Sequence, residues 1–122
     1  MDDYPMRVTS FTLIAAFTFS VAGCYSPGEL IRKGPTYAAQ TAKSPKQYAL
    51  CVFPQWQESR PDATMSETEN GYRLLSGNDM NTNEILQISK TPSGSDVKFY
   101  QRSYLDFGAG RAIALESTKS CL

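Results

Sequence analysis

Between Val8 and Ala22 the chain carries no charged side chain, and this stretch decides how much of the remaining sequence is free to fold. Its 15 residues include Phe11, Leu13, Ile14, Phe17 and Phe19. A helix that crosses a bilayer needs roughly 20 such residues. Apolar runs of about 7–15, preceded by a cation and followed by small residues, are the cores of export signals. Arg7 supplies the cation. Asp2 and Asp3 are foreign to a positive n-region, and initiation at Met6 would remove both. The expectation is that this end of the chain is an address and not part of the folded unit.

The run closes with Val21-Ala22-Gly23-Cys24. This tetrapeptide resembles the lipobox of bacterial lipoproteins, in which an aliphatic residue, a small residue and Gly or Ala precede Cys. The resemblance covers about the first 24 residues. It implies a diacylglycerol on the Cys24 thiol, cleavage before Cys24 by signal peptidase II, and palmitate-type acylation of the new amino group. One acyl chain anchors only marginally at about 0.8 kcal/mol per buried methylene, whereas two or three hold a domain on a membrane. Tyr25, not the Asp associated with inner-membrane retention, follows Cys24. By analogy this points to the periplasmic face of the outer membrane. The implied organisation is a signal peptide over 1–23, a lipidated flexible tether over 24–43 and a periplasmic domain over 44–122.

Composition excludes several functions. Twelve basic and twelve acidic side chains leave zero net charge, and His is absent. Neutrality argues against a nucleic-acid partner and a polybasic membrane patch. Without His there is no Ser-His-Asp triad, no Cys-His pair and no imidazole metal ligand. No metal and no cofactor is expected, and the chain reads as a non-enzyme.

Pro and Gly interrupt the segment from Tyr25 to Lys43, as in Ser26-Pro27-Gly28 and Lys33-Gly34-Pro35, so it reads as coil. Ser44-Pro45-Lys46-Gln47 then carries the marks of a helix start: a capping Ser, Pro at the first position and Gln completing a capping box. Tyr48, Cys51, Val52 and Trp56 follow on one face at helical spacing, with Trp56 as core filler. Pro54 predicts a kink or an end near Phe53. From Asp62 onward the pattern alternates. Asn70-Gly71 predicts a type I′ hairpin with Met65, Glu67, Tyr72 and Leu74 on one face and Thr64, Ser66, Thr68 and Arg73 on the other. A second hairpin is expected around Pro92-Ser93-Gly94-Ser95, with Leu86, Ile88, Val97 and Phe99 inward. A last helix runs from Arg111 to Cys121, with Ile113, Ala114, Leu115 and Cys121 buried. The predicted fold is α+β, a four-stranded antiparallel meander with an N-terminal and a C-terminal helix packed on one face.

If Cys24 carries lipid, an even pair of cysteines remains on the side of the membrane where disulfides persist. A Cys51–Cys121 bridge is the expectation. Thioredoxin-type chemistry would need Cys-x-x-Cys, and structural zinc would need four ligands.

Other constellations miss the geometry that their chemistry requires. Asp79 to Asn83 begins like a calcium loop, but Glu84 and Lys90 stand where Gly and Glu are needed. Gly108-Ala109-Gly110 lacks the third Gly of a dinucleotide turn, which would fall at Ile113. Ser95 and Lys98 have the spacing of a Ser-x-x-Lys nucleophile but enter a strand. Glu67 and Glu69 flank an exposed turn without a cleft. Lys98, Tyr100, Arg102 and Tyr104 alternate along one strand face and form the candidate interface, since Tyr and Arg favour such surfaces. The functional expectation is a lipid-anchored binding or structural module facing an envelope protein. The rival expectation is an inhibitor or immunity-type lipoprotein that caps a toxin or hydrolase.

Overall fold

The computed structural model describes residues 26–102 and 109–122. The order of elements is α1 (Pro27–Arg32), β1 (Tyr37–Thr41), α2 (Pro45–Ser59), β2 (Thr64–Thr68), β3 (Gly71–Gly77), β4 (Thr82–Thr91), β5 (Gly94–Gln101) and α3 (Ala109–Ser120). The strands form one five-stranded antiparallel sheet in the order β1-β5-β4-β3-β2. The architecture is α+β, as the alternation and helical periodicity require. The predicted meander is β2 to β5, and β1 adds a fifth strand at its far edge.

The core lies between the sheet and α2. Leu74, Leu86, Ile88, Val97 and Phe99 meet Tyr48, Val52 and Trp56 there, and all eight are buried. Trp56 stands edge-on to Phe99 with ring centroids 6.0 Å apart. Its indole N–H donates to the Ala114 carbonyl at 3.2 Å. The Tyr48 hydroxyl donates to the Thr118 carbonyl at 2.6 Å. These two bonds place α3 beside α2, and the Cys51–Cys121 disulfide joins the two helices, with Cα atoms 5.9 Å apart. Burial raises the Tyr48 phenol above its ordinary pKa, with a smaller contribution from Tyr37.

The segment read as a flexible tether is folded from Pro27 to Thr41, which corrects that reading. Ser26 caps α1 as Ser44 caps α2. Each Ser accepts from the N–H three residues on, and Glu29 or Gln47 accepts from the capping residue's own N–H. Leu30 of α1 is buried against Ile85 and Tyr100, on the sheet face opposite α2. The two expected helices, α2 and α3, share one face of the sheet, and α1 adds a third, unexpected helix on the other. After α1 the chain crosses to the edge, where β1 pairs with β5 from Tyr37↔Phe99 to Thr41↔Ser95.

Three local expectations need revision. Thr68 pairs with Gly71, so the two turn residues are Glu69 and Asn70. A type I′ turn needs positive φ at both turn residues, and no described residue other than glycine has positive φ. The register moves by an even number of positions, so the predicted division of faces survives. Gly71 is required by close approach, because a Cβ there would collide with the Ile88 carbonyl oxygen of β4. Pro54 does not end α2. It lies on the exposed face above Leu50, whose carbonyl loses its helical partner where water is at hand. In α3, Ile113 is 45% exposed, and the buried stripe is Ala114, Ser117, Thr118 and Cys121 at i, i+3, i+4 and i+7. Ser117 and Thr118 can be buried because their hydroxyls donate to backbone carbonyls, Thr118 to Ala114 at 2.8 Å.

Candidate functional site

The sheet face opposite α2 is the part of the molecule the core does not use. Three transverse rows of side chains cross it. The first contains Tyr100, Ile85 and Leu75 and is roofed by α1. The second runs through direct cross-strand partners on all five strands: Ala38, Lys98, Gln87, Arg73 and Ser66. The third contains Gln40, Asp96, Ser89, Gly71 and Thr68. The second and third rows are uncovered. Antiparallel sheets commonly keep one such polar face.

The centre of the middle row is made of hydrogen-bond donors. Lys98 is exposed, while Gln87 and Arg73 are half-buried. The Tyr100 hydroxyl donates to the Gln87 amide oxygen at 3.3 Å. Arg73 has two guanidinium nitrogens, Nε and Nη2, shielded from solvent without a hydrogen-bond partner. An open cavity of about 250 Å³ lies against Arg73 and Gln87, bordered by Thr68, Asn70 and Ser89. A second, of about 310 Å³, lies beside Lys98 over Ala38 and Gln40. The acids that border these cavities are Glu69 in the first and Asp96 in the second.

The residues expected to form an interface are not brought together. Lys98 lies on the open face. Tyr100 shares that face but is 4% exposed, because α1 covers it. Arg102 lies beyond the end of β5, where its N–H donates to the Asn83 carbonyl at 2.8 Å and its guanidinium to the Asn81 side chain. Its carbonyl accepts from Arg111 at 2.5 Å. Tyr104 lies outside the described residues, as do Cys24 and the lipobox. Cys51 and Cys121 are joined to each other. Arg73 and Gln87 were missed. The signal for Arg73 was a cation inside the apolar strand Tyr72-Arg73-Leu74-Leu75, at the alternate position that faces away from the core.

A second polar cluster lies on the helix side. Arg60, after the end of α2, donates to Glu84 through Nη2 at 2.7 Å and Nε at 3.2 Å. The Ser76 hydroxyl donates to the other Glu84 oxygen, and the Glu84 N–H donates to Ser76 Oγ at 3.1 Å. Glu84 and Ser76 are fully buried, so no substrate reaches them, and the cluster clamps the end of α2 to the sheet. The backbone of α3 comes in close beside it: a Cβ at Gly110 would press on the Ser59 carbonyl and the Arg60 guanidinium. Gly110 thus serves helix packing. Ser95 is buried with its hydroxyl donating to the Lys43 carbonyl at 2.8 Å, while Lys98 faces the other way, so the two form no nucleophile pair. Among the described residues no group of three His, Cys, Asp or Glu side chains could hold a metal ion, and no helix is long and apolar enough to cross a membrane.

Comparison with protein-family models, curated proteins and solved structures finds no match to this chain.

Proposed function

We propose that the chain is a lipid-anchored, non-enzymatic binding module of the bacterial envelope, and that its binding surface is the open sheet face. The supporting observation is the row Lys98-Gln87-Arg73 on the part of the sheet that no helix covers, with two buried nitrogens of the Arg73 guanidinium left unsatisfied. A stable domain seldom leaves a charged donor pair without acceptors, because each such group costs stability. The disulfide supports an oxidising compartment, in keeping with the lipobox resemblance.

The folded segment after Cys24 changes the geometry of the proposed anchor. Only Tyr25 and Ser26 separate Cys24 from α1. Three residues reach at most about 10 Å. Since α1 packs on the open face, the proposed lipid enters from that side and holds the domain close to the headgroups. The partner is an envelope component that presents acceptor groups at short range from the bilayer.

Site-specific photo-crosslinking in cells tests this reading. A crosslinker at Gln87 should capture a defined adduct, and one at Lys46, exposed on α2, should not. Equal adducts from both positions would remove the open face as the binding surface.

A further inference from the structure

We infer that the loop between β3 and β4 is a second membrane contact, with the Met80 side chain dipping into the bilayer interface beside the lipid anchor. The inference rests on the reading of Cys24 as that anchor and adds how the domain stands on the membrane.

Met80 is 77% exposed, the most exposed large apolar side chain among the described residues. The loop that carries it is tied down by hydrogen bonds. The Asn78 side-chain oxygen accepts from the N–H of Met80 at 3.0 Å and from that of Asn81 at 2.9 Å. The backbones of Asn78 and Asn81 bond to each other in both directions, and the Thr82 hydroxyl donates to the Asn78 carbonyl at 2.9 Å. The Arg102 guanidinium donates to the Asn81 side chain and so holds the loop to the end of β5. A loop fixed in this way projects Met80 into solvent and has little ordering left to undergo on binding. The unbranched Met side chain adapts to an irregular apolar phase, as acyl chains are.

A single exposed apolar residue is ordinary on a protein surface, and the position of this one gives it meaning. The short helix α1 seats Leu30 on Ile85 and Tyr100, with Leu75 packed alongside. Beyond the pair Leu75↔Ile85 only Ser76↔Glu84 and Gly77↔Thr82 precede the loop. At about 3.3 Å per residue that is about 7 Å along the strands. The helix is six residues long, about 9 Å, and Cys24 lies at most about 10 Å before it. Anchor and Met80 therefore belong to the same end of the sheet. The turns after Thr68 and Thr91 belong to the other end. A link this short keeps the loop end of the domain at the headgroups, where Met80 meets lipid. Asp79 and Asn81 flank Met80 and are exposed, so they stay in the hydrated headgroup layer and one side chain alone enters. Two contacts set the orientation of the domain, which a lipidated residue alone leaves free. The strands then rise from the bilayer, and the uncovered rows of the open face stand clear of it for a partner.

The test uses the full chain extracted from membranes, with its methionine methyls labelled with carbon-13, in nanodiscs of phosphatidylcholine and phosphatidylglycerol. One set of discs contains lipid with a nitroxide high on its acyl chain, and a matched set does not. The readout is the Met80 methyl resonance, assigned by its loss in Met80→Leu. The nitroxide lipid should broaden this resonance away, and a water-soluble gadolinium chelate should leave it largely intact. A methyl introduced by Ser93→Met, in the turn at the far end of the sheet, should show the reverse. A Met80 resonance that keeps its intensity beside the nitroxide, or that broadens no more than the Ser93→Met probe, overturns the inference. The intact mass of the same preparation reports whether Cys24 is lipidated. An unaffected Met80 on a lipidated chain removes the loop contact and keeps the anchor. An unaffected Met80 on an unlipidated chain removes both, and a broadened Met80 on an unlipidated chain keeps the contact and removes the anchor.

Discussion

Replacing both Cys51 and Cys121 with Ala should cost about 4 kcal/mol. The bridge spans a sequence separation of 70, and the chain-entropy relation for a loop of that length gives about that value at 25 °C. Alanine is the suitable replacement because Cys121 is fully buried and a serine hydroxyl there would add a desolvation cost. What remains to hold α3 includes the burial of Ala114, Ser117 and Thr118, the bonds from Trp56, Tyr48 and Gln101 to its carbonyls, the bond from Arg111 to the Arg102 carbonyl and that from Lys43 to the Cys121 carbonyl. A domain of this size loses about 4–8 °C in Tm per kcal/mol, so the expected fall is roughly 15–30 °C. Thermal unfolding of the double variant, followed by circular dichroism against the oxidised wild type, measures it. The Trp56 fluorescence transition should coincide with it, because the Trp56 indole bonds α3. A fall of less than about 5 °C would mean that packing of α3 on α2 suffices without the bridge.

Other outcomes follow from the same structure. Arg73→Met removes two unsatisfied donors and should raise stability by about 1 kcal/mol in denaturant unfolding, whereas a loss of that size would show that the fork has partners within the fold. Glu84→Ala strips the Arg60 guanidinium and the Ser76 hydroxyl of their shared carboxylate and should cost about 3–5 kcal/mol, so a near-neutral result would contradict the clamp on α2. The Tyr48 phenol keeps its proton in the folded state above the pH at which it ionises in the unfolded chain. Stability should therefore be unaffected by Tyr48 below about pH 10 and fall by up to about 1.4 kcal/mol per pH unit above it. Tyr48→Phe should flatten that alkaline slope while lowering stability at neutral pH through the lost bond to Thr118.

The elements that were legible in the sequence share a physical basis. The capping residues of α2 and the alternating apolar residues of β3 to β5 state their structure locally, and Leu74, Leu86, Ile88, Val97 and Phe99 face the core as their alternation requires. What sequence reasoning misplaced depends on distant partners. Tyr37-Ala38-Ala39-Gln40-Thr41 has little strand propensity and becomes β1 only because β5, nearly 60 residues away, presents an open edge. The helix α1 carries in Ser26-Pro27-Gly28-Glu29 the same cap signature as Ser44-Pro45-Lys46-Gln47, but at six residues it is too short to announce itself by periodicity. That omission also hid the fate of Tyr100, since nothing in β5 alone shows that Leu30 will cover it. The donor row was out of reach for the same reason. Lys98, Gln87 and Arg73 come from three strands, and only the register aligns them.

We propose a folded unit, closed by its own disulfide, that is held to a membrane through Cys24. The most direct measurement is the intact mass of the protein extracted from membranes, taken after thiol alkylation without reductant. The expected species is a chain that begins at Cys24, carries a diacylglyceryl thioether and an N-acyl group, and has no alkylated cysteine. An unlipidated chain with an alkylated Cys24 would contradict the anchor, and alkylation of Cys51 and Cys121 would contradict the staple.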